Sequence, residues 1–148
     1  MYSKKLDIRW ADLDPNFHVL HSKYYDFGAY CRMAFLTEQG LTSALMQQYH
    51  FGPIIFREEC FFKREISFGE EISISLAVKS HSADYSRWSM EHEITKGGII
   101  AATINIDGAW IDTIKRKLTI PPPEVIHIFD SAPRSAALQL PINKGYPY

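Results

Sequence analysis

The chain has 148 residues, 46% of them hydrophobic and 14% aromatic, with a formal net charge of -1. That composition supplies one sizeable core and excludes a disordered chain, whose sequence could not offset its ordering entropy. Near-neutral charge also excludes the broad positive field that gathers nucleic acid or anionic membrane by counterion release, so neither is an expected partner.

In chain order, "KKLDIRW" carries apolar residues near the alternating spacing of a strand, and "ADLDPN" follows with turn chemistry, which ends the strand near Trp10. From Ser22 the period changes. Tyr24, Phe27, Gly28, Cys31, Ala34 and Phe35 form one helical stripe, with Ser22 as N-cap and Gly40 as the left-handed stop, which predicts a helix over 23–39. "LTSALMQQYHFGP" reads as a short helix and a turn. Four β-rich segments follow, "IIFREECFFKREI", "EEISISLAVKS", "DYSRWSMEHEIT" and "GIIAATINIDGAWID", divided at Phe68-Gly69, Ser82-Ala83 and Gly97-Gly98, and they predict a meander. Beyond Pro121 the proline-punctuated tail suggests one helical turn near Glu124 to Phe129. The expected division is a main domain at 1–120 and an appendage at 121–148 without a core of its own.

The order is one strand, one long helix and four antiparallel strands, an α+β arrangement in which a sheet curls around a helix. Such a sheet leaves an edge open, so an oligomer is expected. Cys31 and Cys60 stand far apart without C-x-x-C spacing and read as reduced thiols. The opening "MYSKKLDIRW" lacks the apolar stretch of a signal peptide, and the longest apolar run falls short of the roughly 18 residues a membrane helix needs. A cytoplasmic location with no membrane partner is the expectation. Six histidines are scattered without H-x-x-x-H or H-E-x-x-H spacing, and no phosphate-cradling glycine loop exists, so no metal is expected.

The stretch "RWADLDPNFHVLHSKYYDFGAYCRMAFL" together with this element order resembles the hotdog-fold acyl-CoA thioesterases, particularly the hydroxybenzoyl-CoA thioesterase group. The specific part is the D-P-x-x-x-V-x-x-x-x-Y run from Asp14 to Tyr24, and "FFKREISFGEEISI" is similar to the family's second strand, turn and third strand. The resemblance implies a hotdog fold, a five-stranded antiparallel sheet wrapped around one long helix, in a homodimer or homotetramer. It implies Asp14 as the catalytic carboxylate. Histidines occur in the family four or seven positions after that aspartate, and this chain has both, His18 and His21. Many members carry glycine where this chain has Phe17, which reduces backbone freedom in the loop.

Thioester hydrolysis needs a base or nucleophile and donors for the oxyanion. Asp14 just ahead of a helix can be either, while free N–H groups of the helix's first turn, near His21 to Tyr24, face the carbonyl oxygen with the positive end of the dipole behind them. Both Asp12 and Asp14 also suit ordinary Asx turns; Asp12 is read as structural. The candidate catalytic set is Asp14, His21 and His18, with His21 nearer the helix start. The candidate substrate contacts are Tyr24, Phe27, Glu59, Phe61 and Arg64. Of Glu58 and Glu59, alternation sends one toward the helix. The aromatics otherwise suit a core, and Lys63, Arg64 and Arg87 suit a solvated surface or CoA phosphates. The expected substrate is an acyl-CoA or acyl-carrier-protein thioester, with CoA as part of the substrate and no separate cofactor. A hotdog dehydratase or hydratase, or a non-catalytic acyl-ligand binder, are the alternatives.

Overall fold

Alternation in "ISISLAVK", residues 72–79, gives one strand a face of Ile72, Ile74, Leu76 and Val78 that has to be covered. In the computed structural model, which describes residues 1–136, all four are buried within one core cluster that α1 also joins. The chain runs β1 (Tyr2–Leu6), a 3-10 turn (Trp10–Asp12), α1 (Lys23–Glu38), α2 (Ser43–Gln48), β2 (Phe51–Phe62), β3 (Ile72–His81), β4 (Arg87–Lys96), β5 (Ile99–Asp112), β6 (Lys117–Leu118) and α3 (Pro123–Ser131). Strand pairs are antiparallel in the order β1-β3-β4-β5-β2, with the two-residue β6 on the end of β5. The meander therefore holds for β3 to β5 only. The connection at 63–71 is long enough to carry the chain across, so β2 pairs with β5 rather than β3.

The five main strands and α1 agree with the predicted hotdog arrangement. Helix α1 ends as its sequence requires: Gly40 takes φ +93°, with Gly40 N–H donating to Thr37 and Leu41 N–H to Leu36. Its start differs. Ser22 holds the cap position but its side chain caps nothing, and Lys23 N–H donates instead to Leu20 O at 2.9 Å. Along the helix Ala34 is only half-buried, whereas Arg32 lies in the buried face between Gly28 and Phe35. At the β4–β5 hairpin, Gly97 and Gly98 both have positive φ and join Lys96 to its partner Ile99, a tight turn that glycine makes without steric cost.

The sheet ends unequally. β1 is five residues long and carries Lys4 and Lys5, with Lys4 salt-bridged to Glu38. Its pairing covers β3 only up to Leu76; beyond that, Val78 bonds through both its N–H and its C=O to Pro133 and Ser135 of the C-terminal segment. At the other end β2 is twelve residues long, with Ile55, Phe61 and Phe62 about half exposed and Pro53 in the place strand prolines occupy, an edge. Helix α3 exceeds the single turn expected, and its Val125, Ile128 and Phe129 are buried in the main core, Phe129 against Trp110 and His81. This part of the tail completes the core of the domain. The last twelve positions of the 121–148 segment lie outside the described residues.

Candidate active site

The loop ahead of α1 is built on two aspartates with different work. Asp12 is buried, and its carboxylate accepts from Arg9 N–H at 2.9 Å and Arg9 Nη2 at 2.8 Å, which holds it below the usual carboxylate range. It is structural, as its turn context suggested. Leu13 and Val19 form a bridge, and Asp14 N–H donates to His18 O at 2.7 Å while Phe17 N–H donates back to Asp14 O. Residues 14–17 thus make a turn with Pro15 at its second position, closed by Phe17 at φ +64°. A three-residue hairpin loop of this kind wants a left-handed residue at its end, which is why glycine suits the place. Phe17 takes the same conformation at a cost of about 1–2 kcal/mol. The loop geometry is kept, and the ring is presented outward, 61% exposed beside Trp10, which also meets the exposed Phe68.

The Asp14 carboxylate is half-buried; its Oδ1 accepts from Asn16 N–H at 2.9 Å and His18 N–H at 3.2 Å. Among the described residues no hydrogen bond reaches Oδ2. Tyr24, the second residue of α1, is 3% exposed, and burial, aided by Cys60 and Asp14, pushes its phenol up to about 12. Phe62 closes on it edge-to-face at 4.8 Å.

Of the residues singled out in the sequence, Asp14, His18 and Tyr24 gather around this loop. His18 Nε2 lies 3.3 Å from Glu65 on the neighbouring segment, while His21 is exposed. Phe27 is buried beside Tyr24. Glu59 and Phe61 fall on the outward parity of β2: Glu59 pairs with Arg57, and it is Glu58 that turns inward to Arg32. Arg64 is exposed just after β2, its N–H donating to Ala101 O. The aromatic at the loop is Phe62, one place from the residue expected, since the bulge between Ile55 and Arg57 interrupts the alternation from which strand parity is counted.

Sequence reasoning missed a second polar cluster behind α1. Arg32 is 7% exposed; its Nη1 lies 3.1 Å from His92 Nε2 and its Nη2 donates to Glu58 Oε1 at 3.3 Å. His92 Nδ1 lies 2.9 Å from Ser75 O, so Nδ1 carries the proton and Nε2 accepts. Burial, and then the Arg32 charge, push His92 down to about 3. The available signals were a histidine on the inward parity of β4 between Met90 and Ile94, and an arginine one turn after Gly28. A side chain at 28 would come within 3.2 Å of both Arg32 and His92.

A family profile described as the thioesterase-like superfamily matches residues 8–129. The chain belongs to that superfamily. No curated protein matches it. Among solved structures, a 1,4-dihydroxy-2-naphthoyl-CoA thioesterase from Synechocystis superposes with TM-score 0.80 at 15% identity over 88% of this chain and 96% of that one. A DHNA-CoA thioesterase from Staphylococcus aureus gives 0.79 at 17% over 87% and 88%. A second Staphylococcus aureus protein, solved in complex with CoA, gives 0.82 at 18% over 99% and 95%. At these identities the likeness establishes the hotdog fold. Among the described residues no helix is long and apolar enough to cross a membrane.

Proposed function

We propose that the protein hydrolyses acyl-CoA thioesters to free acid and CoA thiol, with Asp14 as the base or nucleophile. The observation that carries this is the state of Asp14: a carboxylate ahead of α1 with Oδ1 fixed by two backbone N–H groups and Oδ2 without a hydrogen-bond partner among the described residues. As a base, Oδ2 takes a proton from water while the water oxygen bonds to the thioester carbon; the C–S bond then breaks and the thiolate leaves with a proton. As a nucleophile it attacks the thioester carbon, the C–S bond breaks to release the CoA thiolate, and water then opens the resulting anhydride to regenerate the carboxylate. Because Lys23 N–H is spent on Leu20, the oxyanion donors assigned to the helix start are the N–H groups of the following residues in its first turn. Membership of the thioesterase-like superfamily and the CoA-thioester substrates of structural neighbours support this reading. An acyl-carrier-protein thioester is the second carrier to test.

The long β2 edge further supports a homodimer in which two sheets join through that strand. Light scattering at micromolar concentration checks this, a stable monomer being the contrary result. One observation favours a second reading: His18 beside Glu65 is the histidine and acid pair a hydratase needs. Thiol release from a panel of saturated and enoyl acyl-CoAs decides. Steady thiol release supports the hydrolase, loss of the enoyl absorbance without thiol selects the hydratase, and saturable binding without either selects a binder.

A further inference from the structure

Three exposed aromatic rings meet beside the Asp14 loop, each brought by a different segment. Trp10 comes from the 3-10 turn, Phe17 from the end of the 14–17 turn and Phe68 from the turn at 67–70, where Gly69 takes φ +88°. Trp10 is the middle ring, with its centroid 6.0 Å from that of Phe17 and 6.3 Å from that of Phe68. The three are 69%, 61% and 56% exposed, which leaves roughly 300–400 Å² of aromatic surface in water, a size at which apolar patches are often functional. Phe17 holds its place at a cost. Its left-handed backbone is one that glycine adopts without strain, and its ring lies outside the core, so no burial offsets that cost. The patch is also tied to the site. Val19 N–H donates to Ile66 O at 2.8 Å and His18 bridges Ser67, which joins the Asp14 loop to the segment that carries Phe68.

Charge and shape narrow what covers the patch. Arg9, next to Trp10, is spent on Asp12, and the acids of the 65–70 segment are spent as well, Glu65 on His18 and Glu70 on Lys96 and Ser67 N–H. The rings therefore offer themselves to a neutral group. An alkyl chain gains by being enclosed, which an open cluster does not do, whereas a flat heteroaromatic ring gains from stacking on one exposed face. Of the parts of a CoA thioester, adenine is the one that is flat, neutral and aromatic. Its phosphates need cations close by. Lys63 and Arg64 are exposed, and among the described residues neither joins an ion pair. They follow Phe62, which touches Tyr24, and precede Phe68 in the chain. Segment 62–68 thus leads from the Tyr24 side of the candidate site through two unpaired cations to the aromatic patch, which is the order of thioester arm, phosphates and adenine in CoA.

Resting on the CoA-thioester reading, we propose that Trp10, Phe17 and Phe68 form the platform on which the adenine of the substrate stacks, with Lys63 and Arg64 at its phosphates. Of the three tryptophans, Trp88 and Trp110 are 3% and 1% exposed, so the fluorescence that acrylamide can quench reports Trp10. The wild-type protein is titrated with CoA, adenosine 3′,5′-bisphosphate, pantetheine and phosphatidylcholine vesicles. CoA and the bisphosphate are expected to quench Trp10 and shield it from acrylamide, and pantetheine and vesicles to leave it unchanged. In calorimetry, Trp10→Leu is expected to weaken CoA binding about tenfold, Trp10→Phe to restore most of it, and Phe17→Gly, which keeps the turn and removes only the ring, to weaken it about threefold. Unchanged CoA affinity in Trp10→Leu and Phe17→Gly overturns the platform. So does a Trp10 signal that follows vesicles or protein concentration rather than nucleotide, which assigns the patch to a lipid surface or to a second copy. Free CoA binds without turnover, so the two readings fail separately. Thiol release from acyl-CoAs with no Trp10 response removes the platform alone, and a Trp10 response in a protein that releases no thiol removes the hydrolase alone.

Discussion

Arg32 on α1 and His92 on β4 face each other at 3.1 Å in the interior, where burial and then the cation's charge keep the imidazole neutral while it accepts one of the cation's hydrogens. Protonating His92 would place two positive charges side by side with burial opposing both. The folded-state value near 3 is below the ordinary 6.5, so the unfolded chain binds the extra proton first and stability falls as pH drops from about 6.5 toward 3. At pH 5 the loss is about 2 kcal/mol. Urea unfolding at pH 7 and pH 5 measures it, and His92→Gln should flatten the dependence between those values. Glu38 and Glu70, whose partners hold them below 4.5, contribute at lower pH.

For Asp14, two substitutions separate chemistry from turn formation. Asp14→Asn keeps an oxygen to accept from Asn16 and His18 but cannot take a proton at neutral pH, so the fold should stay intact while kcat falls by about 10²- to 10⁴-fold. Asp14→Ala should show the same kinetic loss together with about 1 kcal/mol less stability, because both backbone donors lose their acceptor. Wild-type kcat in the Asn variant on the best thioester would remove Asp14 from the mechanism.

The strain at Phe17 makes a prediction that depends on backbone alone. Phe17→Gly relieves a left-handed conformation that Phe17→Ala retains, so the glycine variant should be the more stable of the two by about 1 kcal/mol. Thermal unfolding of the pair tests this. An alanine variant as stable as the glycine one would mean that the strain is absent in solution.

Helix α3 should prove indispensable to the fold. Phe129 is 1% exposed against Trp110 and His81, and Phe129→Ala should cost about 3–5 kcal/mol in urea denaturation. A loss under 1 kcal/mol would show that the helix is a detachable appendage.

What the sequence disclosed followed from short-range physics. The helix over 23–39 was readable because its apolar stripe and Gly40 are local signals, strands β3 and β4 because inward and outward residues alternate along them, and β5 because its run is β-rich and bounded by Gly97-Gly98. The position of β2 was not readable, since nothing in "IIFREECFF" says which edge it will join. Nor was the bulge after Ile55, which decides that Glu58 rather than Glu59 turns to Arg32 and that Phe62 rather than Phe61 meets Tyr24. Asp14 was legible through its run of neighbours. The Arg32–His92–Glu58 cluster was hidden because its members come from three elements, each of which reads locally as one odd polar residue in an apolar stripe.

The unequal ends of the sheet set a limit on growth. A sheet open at both edges can add copies indefinitely, which is the geometry of a fibre. In the dimer proposed above, twofold pairing through β2 would use up the long edge of both copies in one step, and each outward end would then be a five-residue strand bearing lysines. Beyond β1, Val78 of β3 is already bonded to Pro133 and Ser135 of its own chain. Such a dimer would be self-terminating, with the short, charged β1 left to guard the outward edges against edge-to-edge aggregation in the crowded conditions where a long apolar strand is a hazard.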